Sequence, residues 1–276
     1  MTYARNGDVE LYHETFGDPS DPALLLVNGL GSQCVNFRVE WCEQFVAAGF
    51  HVIRFDTRDV GLSTKLTALY SLDDMADDAI AVLDSAGVER AHVMGVSMGG
   101  MIVQTLAINH PARLLSMTSV MSNTGEPGFG HGSTEARASL GAPPPRDRAQ
   151  NIEYYLARQQ VIGSPGCFDE ERLRAIAGEL YDRCFYPEGV AHQMMAIGTS
   201  PSRDNELRMI ATPTLVLHGD QDPLVDISGG IHTADVIPGA TFVVMEGMGH
   251  DYPPQYWDRW VQLVTDHARA ATLPAG

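Results

Sequence analysis

The chain reads as an α/β fold, a mostly parallel central sheet flanked by helices and carrying an inserted helical cap. Three observations predict it. Short apolar runs of strand length alternate with longer stretches of helical periodicity. Several of those runs lead straight into short glycine-bearing or acidic loops. The alternation breaks once, between about Asn123 and Ile210, where no convincing strand pattern occurs. A length of 276 residues suits one large domain, or one domain with an insertion.

Taken in order, Val9 to Phe16 is an early strand, ended by Gly17-Asp18-Pro19. Ala23 to Asn28 (A-L-L-L-V-N) is a buried strand running into a glycine loop, and His51 to Asp56 is the next. Ser71 to Ala86 is helical, opened by Ser71 and Asp74 at capping-box spacing and closed at Gly87. Ala91 to Val96 is a strand, followed by a helix from Met98 to Asn109 that stops before Pro111. Leu115 to Met121, Thr214 to His218 and Thr241 to Met245 complete the strands, and Tyr256 to Ala271 carries the apolar stripe of a last helix.

The interrupted region begins with Gly125, Gly128, Gly130 and Gly132, passes Pro143-Pro144-Pro145, then becomes helical at Arg148 to Gln160 and Asp169 to Arg183. An all-helical insertion between two strands predicts a cap over the site. Tyr154, Tyr155, Leu156, Met194 and Met195 supply apolar surface for it to cover. The expected division is a core of residues 1–122 and 212–276 with a cap of residues 123–211.

Composition narrows the function classes. With 44% hydrophobic residues the chain has ample material for a core, and its net charge of −17 repels phosphate backbones and anionic membrane surfaces. Nucleic acid and membrane are therefore not expected partners. Cys34, Cys42, Cys167 and Cys184 form no C-x-x-C pair and no Cys/His ligand spacing; two disulfides are arithmetically possible but a domain this long does not need them. The first residues lack a basic patch followed by an apolar run, and the longest apolar stretches are far short of a membrane span. A cytoplasmic location with reduced thiols is the expectation. Oligomeric state is not readable.

Chemistry is signalled by residues at strand ends. Gly95-Val96-Ser97-Met98-Gly99 lies directly between a strand and a helix pattern, the setting that a nucleophile elbow requires. Ser97 must then take a strained backbone conformation, with a glycine two residues to either side for close approach. Its hydroxyl would stand at a helix N-terminus, where backbone N–H groups favour a developing oxyanion. In His218-Gly219-Asp220-Gln221-Asp222-Pro223 a carboxylate follows a strand end, placed to orient an imidazole. Asp220, Asp222 and Asp226 compete, and Asp222 is favoured because the chain needs a few residues to clear the strand. Glu246-Gly247-Met248-Gly249-His250 places a histidine among small residues after the last strand. Ser97, Asp222 and His250 thus come in the order nucleophile, acid, base, each after its own strand. Asn28-Gly29-Leu30-Gly31 offers a second oxyanion N–H, from Leu30, beside that of Met98. Asp56 to Ser63 reads as a structural brace near the site.

These motifs, G-V-S-M-G-G, D-T-R-D-V-G-L-S, H-G-D-Q-D-P and G-M-G-H, resemble in order and spacing those of the α/β-hydrolase superfamily, over nearly the whole chain. V-N-G-L-G and V-I-R-F-D-T-R-D-V-G-L-S look most like a bacterial esterase group that includes aclacinomycin methylesterase. Two positions depart from the commonest pattern: Asn28 stands where a histidine often precedes the oxyanion glycine, and Asp59 where a glycine often follows the arginine. The resemblance implies no metal and no organic cofactor, and the chain has neither H-E-x-x-H nor a P-loop. It implies a carboxylic-ester hydrolase with an acyl-enzyme intermediate on a small to medium ester, and the mixture of Met, Tyr, Phe and Leu in the cap region points to an apolar one. Lactone, thioester, peracid and carbon–carbon bond chemistry use the same three residues and stay open as alternatives. A serine nucleophile argues against the haloalkane dehalogenase and epoxide hydrolase chemistry of this fold, which uses aspartate. A ligand-binding protein on the same fold would usually have lost one of the three.

Overall fold

The structure is a computed structural model that describes residues 2–141 and 143–272. In chain order its elements are β1 (Thr2–Asn6), β2 (Val9–Phe16), β3 (Ala23–Val27), α1 (Val39–Ala47), β4 (His51–Phe55), α2 (Leu72–Ser85), β5 (Ala91–Val96), α3 (Met98–Asn109) and β6 (Leu114–Val120). Then come α4 (Thr134–Gly141), α5 (Arg148–Ile162), α6 (Glu170–Arg183), α7 (Pro187–Thr199), α8 (Asp204–Leu207), β7 (Thr214–Gly219), α9 (Ser228–Val236), β8 (Thr241–Met245) and α10 (Trp257–Thr272). The strands form one sheet in the order β1-β2-β4-β3-β5-β6-β7-β8. β3 to β8 are parallel to one another, and β1 and β2 are antiparallel additions at one edge. Between β6 and β7 the described residues hold five helices and no strand.

Burial on both faces explains why the central strands are continuous apolar runs rather than alternating ones. In β3 every residue is buried: Leu25 and Val27 face a layer with α2 and α3, while Leu24 and Leu26 face a layer with α1 and α10. The second layer is dominated by Trp41, Phe37, Tyr252, Trp257 and Trp260, in ring contacts of 5.3–6.2 Å between centroids. The Ser71 cap of α2 is a full capping box, with Ser71 Oγ accepting from Asp74 N and the Asp74 carboxylate accepting from Ser71 N. No helix among the described residues is long and apolar enough to cross a membrane. Cys34, Cys42, Cys167 and Cys184 are free thiols, the first two buried.

β1 is a strand that the sequence reading passed over. Asn6 pairs with Val9 across the two-residue turn Gly7-Asp8, in which Gly7 has φ +57°, the hairpin that a glycine at the first central position favours.

One buried group sets a pH dependence of stability. His92, on β5, is 2% exposed and burial pulls its pKa from 6.5 down to about 4. Between those values the unfolded chain binds a proton that the folded chain does not, so stability falls as pH drops through this window. Wild type is expected to lose roughly 2 kcal/mol between pH 7 and pH 4.5 from this group, after allowance for screening. Urea unfolding of wild type and His92→Gln at the two pH values checks this: the variant should lose correspondingly less.

Candidate active site

The site is assembled from loops at the carboxyl ends of β3, β5, β7 and β8. Ser97 joins β5 to α3 with φ 57° and ψ −118°, outside the ordinary regions for a residue with a Cβ. Such a conformation costs about 1–3 kcal/mol and persists only where the surroundings enforce it. Here Ser97 N donates to Val120 O at 2.9 Å, and the flanking glycines allow strand, helix and loop to meet. A Cβ on Gly95 would stand 2.0 Å from Gly99 O, and one on Gly99 2.1 Å from Val27 O.

His250 lies across from this turn. Its Nε2 is 2.9 Å from Ser97 Oγ, and its Nδ1 is 2.7 Å from Asp222 Oδ2. The other oxygen of Asp222 accepts from Leu224 N and Val225 N, both at 2.9 Å. Burial alone would raise the Asp222 carboxyl. The facing charge of His250 and hydrogen bonds from His218 and His250 outweigh it, and hold the group well below the usual carboxylate range. The neighbouring acids are used otherwise: Asp220 accepts from Gly247 N and Asp226 from Ser228 N. Asp222 alone of the three meets the histidine.

Leu30 and Met98 line the same cavity as Ser97 and His250, and the backbone N–H of neither has an acceptor among the described residues. Met98 is the first residue of α3, whose opening N–H groups have no partner within the helix. Asn28 holds the Leu30 loop from below: its Nδ2 donates to Gln33 O at 2.8 Å and its Oδ1 accepts from Tyr252 OH at 3.0 Å. An amide can do both at once, which accounts for its place ahead of Gly29. Asp59 has φ +69°, a left-handed conformation that asparagine and aspartate tolerate better than most residues, and its carboxylate accepts from Leu66 N and faces His192 Nδ1 at 2.9 Å.

Three groups were not singled out from sequence. His218 is fully buried, donates from Nε2 to Val225 O at 2.8 Å, and stands 3.5 Å from the Asp222 oxygen that meets His250. Gln193, on α7 and equally buried, accepts from Gly31 N at 2.8 Å and donates to Thr57 Oγ1 and Arg58 O. It ties the Leu30 loop to the Asp56–Ser63 brace. Ser164, at the end of α5, accepts from Gly249 N and donates to Asp251, while His250 N donates to Ile162 O at 2.7 Å. α5 thereby clamps the histidine loop. The brace itself runs through Asp56, whose carboxylate accepts from Cys34 N, Leu62 N and Arg183, the last on α6.

Over Ser97 lies a cavity of about 370 Å³, within the range for small-molecule sites. Its walls include Met101, Met121, Tyr155, Ile162, Leu173, Ile197 and Trp257, so α5 and α6 face the serine. Among the described residues no cluster of His, Cys, Asp and Glu is arranged to hold a metal ion. A serine backed by a histidine and a buried carboxylate, under a cavity at the carboxyl edge of a parallel sheet, defines the hydrolase class. Comparison with known proteins agrees. Residues 22–144 match the family model described as the α/β hydrolase fold. Rhodomycin D methylesterase of Streptomyces peucetius is 34% identical, over 97% of this chain and 98% of that protein. 3-Oxoadipate enol-lactonase 2 of Acinetobacter baylyi is 29% identical over 93% of each chain. In fold, the chain is similar to the esterase RhEst1 from Rhodococcus sp. ECU1013, with a TM-score of 0.82, 21% identity and 98% of each chain covered. The chain belongs to the α/β-hydrolase family.

Proposed function

We propose that the protein is a carboxylic-ester hydrolase working through an acyl-enzyme, with Ser97 as nucleophile, His250 as general base and acid, and Asp222 as its orienting carboxylate. The observation that carries the reading is the unbroken relay from Ser97 Oγ through His250 to Asp222, at 2.9 and 2.7 Å, at the floor of a cavity with a largely apolar wall. Ser97 attacks the ester carbonyl carbon as its proton passes to His250 Nε2. The N–H groups of Leu30 and Met98 take the charge of the tetrahedral oxygen. Collapse expels the alcohol, which carries off the proton from His250 and leaves the acyl group on Ser97. Water, deprotonated by His250, then attacks the acyl carbon, and the acid leaves as the serine regains its proton. Residues 123–211 act as the cap that shapes the pocket, since α5 and α6 contribute much of its wall.

The methylesterase relative supports an ester of a small alcohol, and the Met, Ile, Leu and aromatic side chains of the cavity wall suit an apolar acyl part beside it. The enol-lactonase relative supports a second reading, hydrolysis of a lactone by the same residues. Wild type and Ser97→Ala are to be compared on methyl and p-nitrophenyl esters and on simple lactones. Ester turnover by wild type, lower by at least about 10³-fold in the variant, is the expected result. Turnover of lactones alone would shift the assignment to the second reading.

A further inference from the structure

We propose that the cavity contains an anion-binding subsite, built on Arg158 and Arg172, for a carboxylate carried by the same substrate whose ester meets Ser97. It rests on the esterase reading above and narrows the substrate class to esters bearing an acid group.

The chain has 35 acidic and 18 basic residues, and several arginines are paired with a carboxylate. Arg38 pairs with Glu179, Arg58 with Asp78, Arg174 with Glu153 and Glu170, and Arg183 with Asp56. Arg158, on α5, and Arg172, on α6, line the cavity without a carboxylate in ion-pair distance among the described residues, as does Arg137; Arg158 and Arg172 are the two that also lie against aromatic rings of the wall. The Nε of Arg158 is buried without any acceptor. Leaving such a donor unsatisfied is costly, and more so for a charged group. An arriving anion relieves that deficit.

The geometry keeps both groups ready. The Arg158 guanidinium lies 5.7 Å from the centroid of Tyr155, and that of Arg172 5.2 Å from Trp257, both rings being part of the cavity wall. A cation–π contact does not use up the guanidinium N–H groups, which stay available to a planar oxyacid. The two acids of the same cavity have neutral donors of their own and form no ion pair with either arginine: Asp251 accepts from Ser164, and Asp169 caps α6 by accepting from Arg172 N. Burial first, and then the nearby charge of Arg38, pull the Arg172 guanidinium below its ordinary value, against a partial opposing effect from Asp169 and Glu40. A carboxylate suits the pair because it accepts two parallel N–H bonds from one guanidinium.

The test compares monomethyl esters of dicarboxylic acids, from about four to eight carbons long, with the dimethyl esters of the same acids. Wild type is expected to prefer the best monomethyl ester by about 10- to 100-fold in kcat/KM, mostly through KM. Arg158→Gln should bring that ratio close to one, Arg158→Lys should keep part of it, and Arg172→Gln should lower it less. Dimethyl esters equal to or better than monomethyl esters across the series would overturn the subsite, and this arm needs no variant to fold. An unchanged ratio in an Arg158→Gln protein with wild-type thermal unfolding would overturn it as well. If no ester is turned over, the esterase reading fails instead. Calorimetric titration with the free dicarboxylates then decides the subsite alone: binding weakened by Arg158→Gln supports it, and no binding to wild type ends it.

Discussion

Asp222→Asn is expected to lower kcat by about 10⁴-fold while leaving the protein folded. The reason lies in how its two oxygens are divided. Oδ1 takes two backbone N–H groups, from Leu224 and Val225. An asparagine must keep its carbonyl oxygen there, or leave two buried donors unsatisfied. Its NH₂ group then replaces Oδ2, facing His250 Nδ1 and the Nε2–H of His218. His250 is forced to accept at Nδ1 and carry its proton on Nε2, toward Ser97, where it can no longer take the serine proton. Steady-state kinetics with a thermal unfolding control checks this. A loss of less than about tenfold in a folded variant would mean that Asp222 does not set the tautomer.

Gly99→Ala is expected to abolish activity and to destabilise the fold by more than about 4 kcal/mol, a class of loss tied to severe local clashes. The added Cβ would stand 2.1 Å from Val27 O and 2.8 Å from Asn28 O. Both are backbone atoms leading into the Leu30 loop, so relief requires moving α3 away from β3 or displacing that loop. A comparison glycine sits at Gly198 in α7, where a Cβ meets nothing within 4 Å. Gly198→Ala is expected to be neutral or to stabilise by about 0.5–1 kcal/mol through helix propensity. Denaturant unfolding of the two variants side by side separates contact from propensity.

Much of this architecture was legible because its signals are local. β5 and β8 begin and end where their apolar runs do, and the Ser71–Asp74 spacing marked the start of α2. The elbow was readable because strand, turn and helix are contiguous there. β1 was passed over because Thr2–Asn6 is an edge strand whose pattern is mostly exposed, leaving only the Gly7-Asp8 turn to announce it. α1 has its buried residues, Trp41, Cys42 and Phe45, within barely two turns, too short for a clear period.

Within the site, Ser97, Asp222 and His250 could be ranked by order along the chain, since each follows its own strand. Gln193 could not. Its partner Gly31 is 162 positions away, and a glutamine in an amphipathic helix carries no local mark of a buried bridge. His218 reads as the end of an apolar strand, and only the return of the loop at Val225 shows what its ring does. Arg158 and Arg172 look like ordinary polar faces of surface helices until both are placed against the same cavity.

The most direct test of the central claim is to trap the acyl-enzyme. Wild type mixed rapidly with excess p-nitrophenyl ester, then quenched in acid, is to be analysed by intact mass and peptide mapping. The account predicts one acyl group per chain, mapped to Ser97, and none on Ser97→Ala. Turnover of the ester with no acyl group on Ser97, or with undiminished activity in Ser97→Ala, would contradict it.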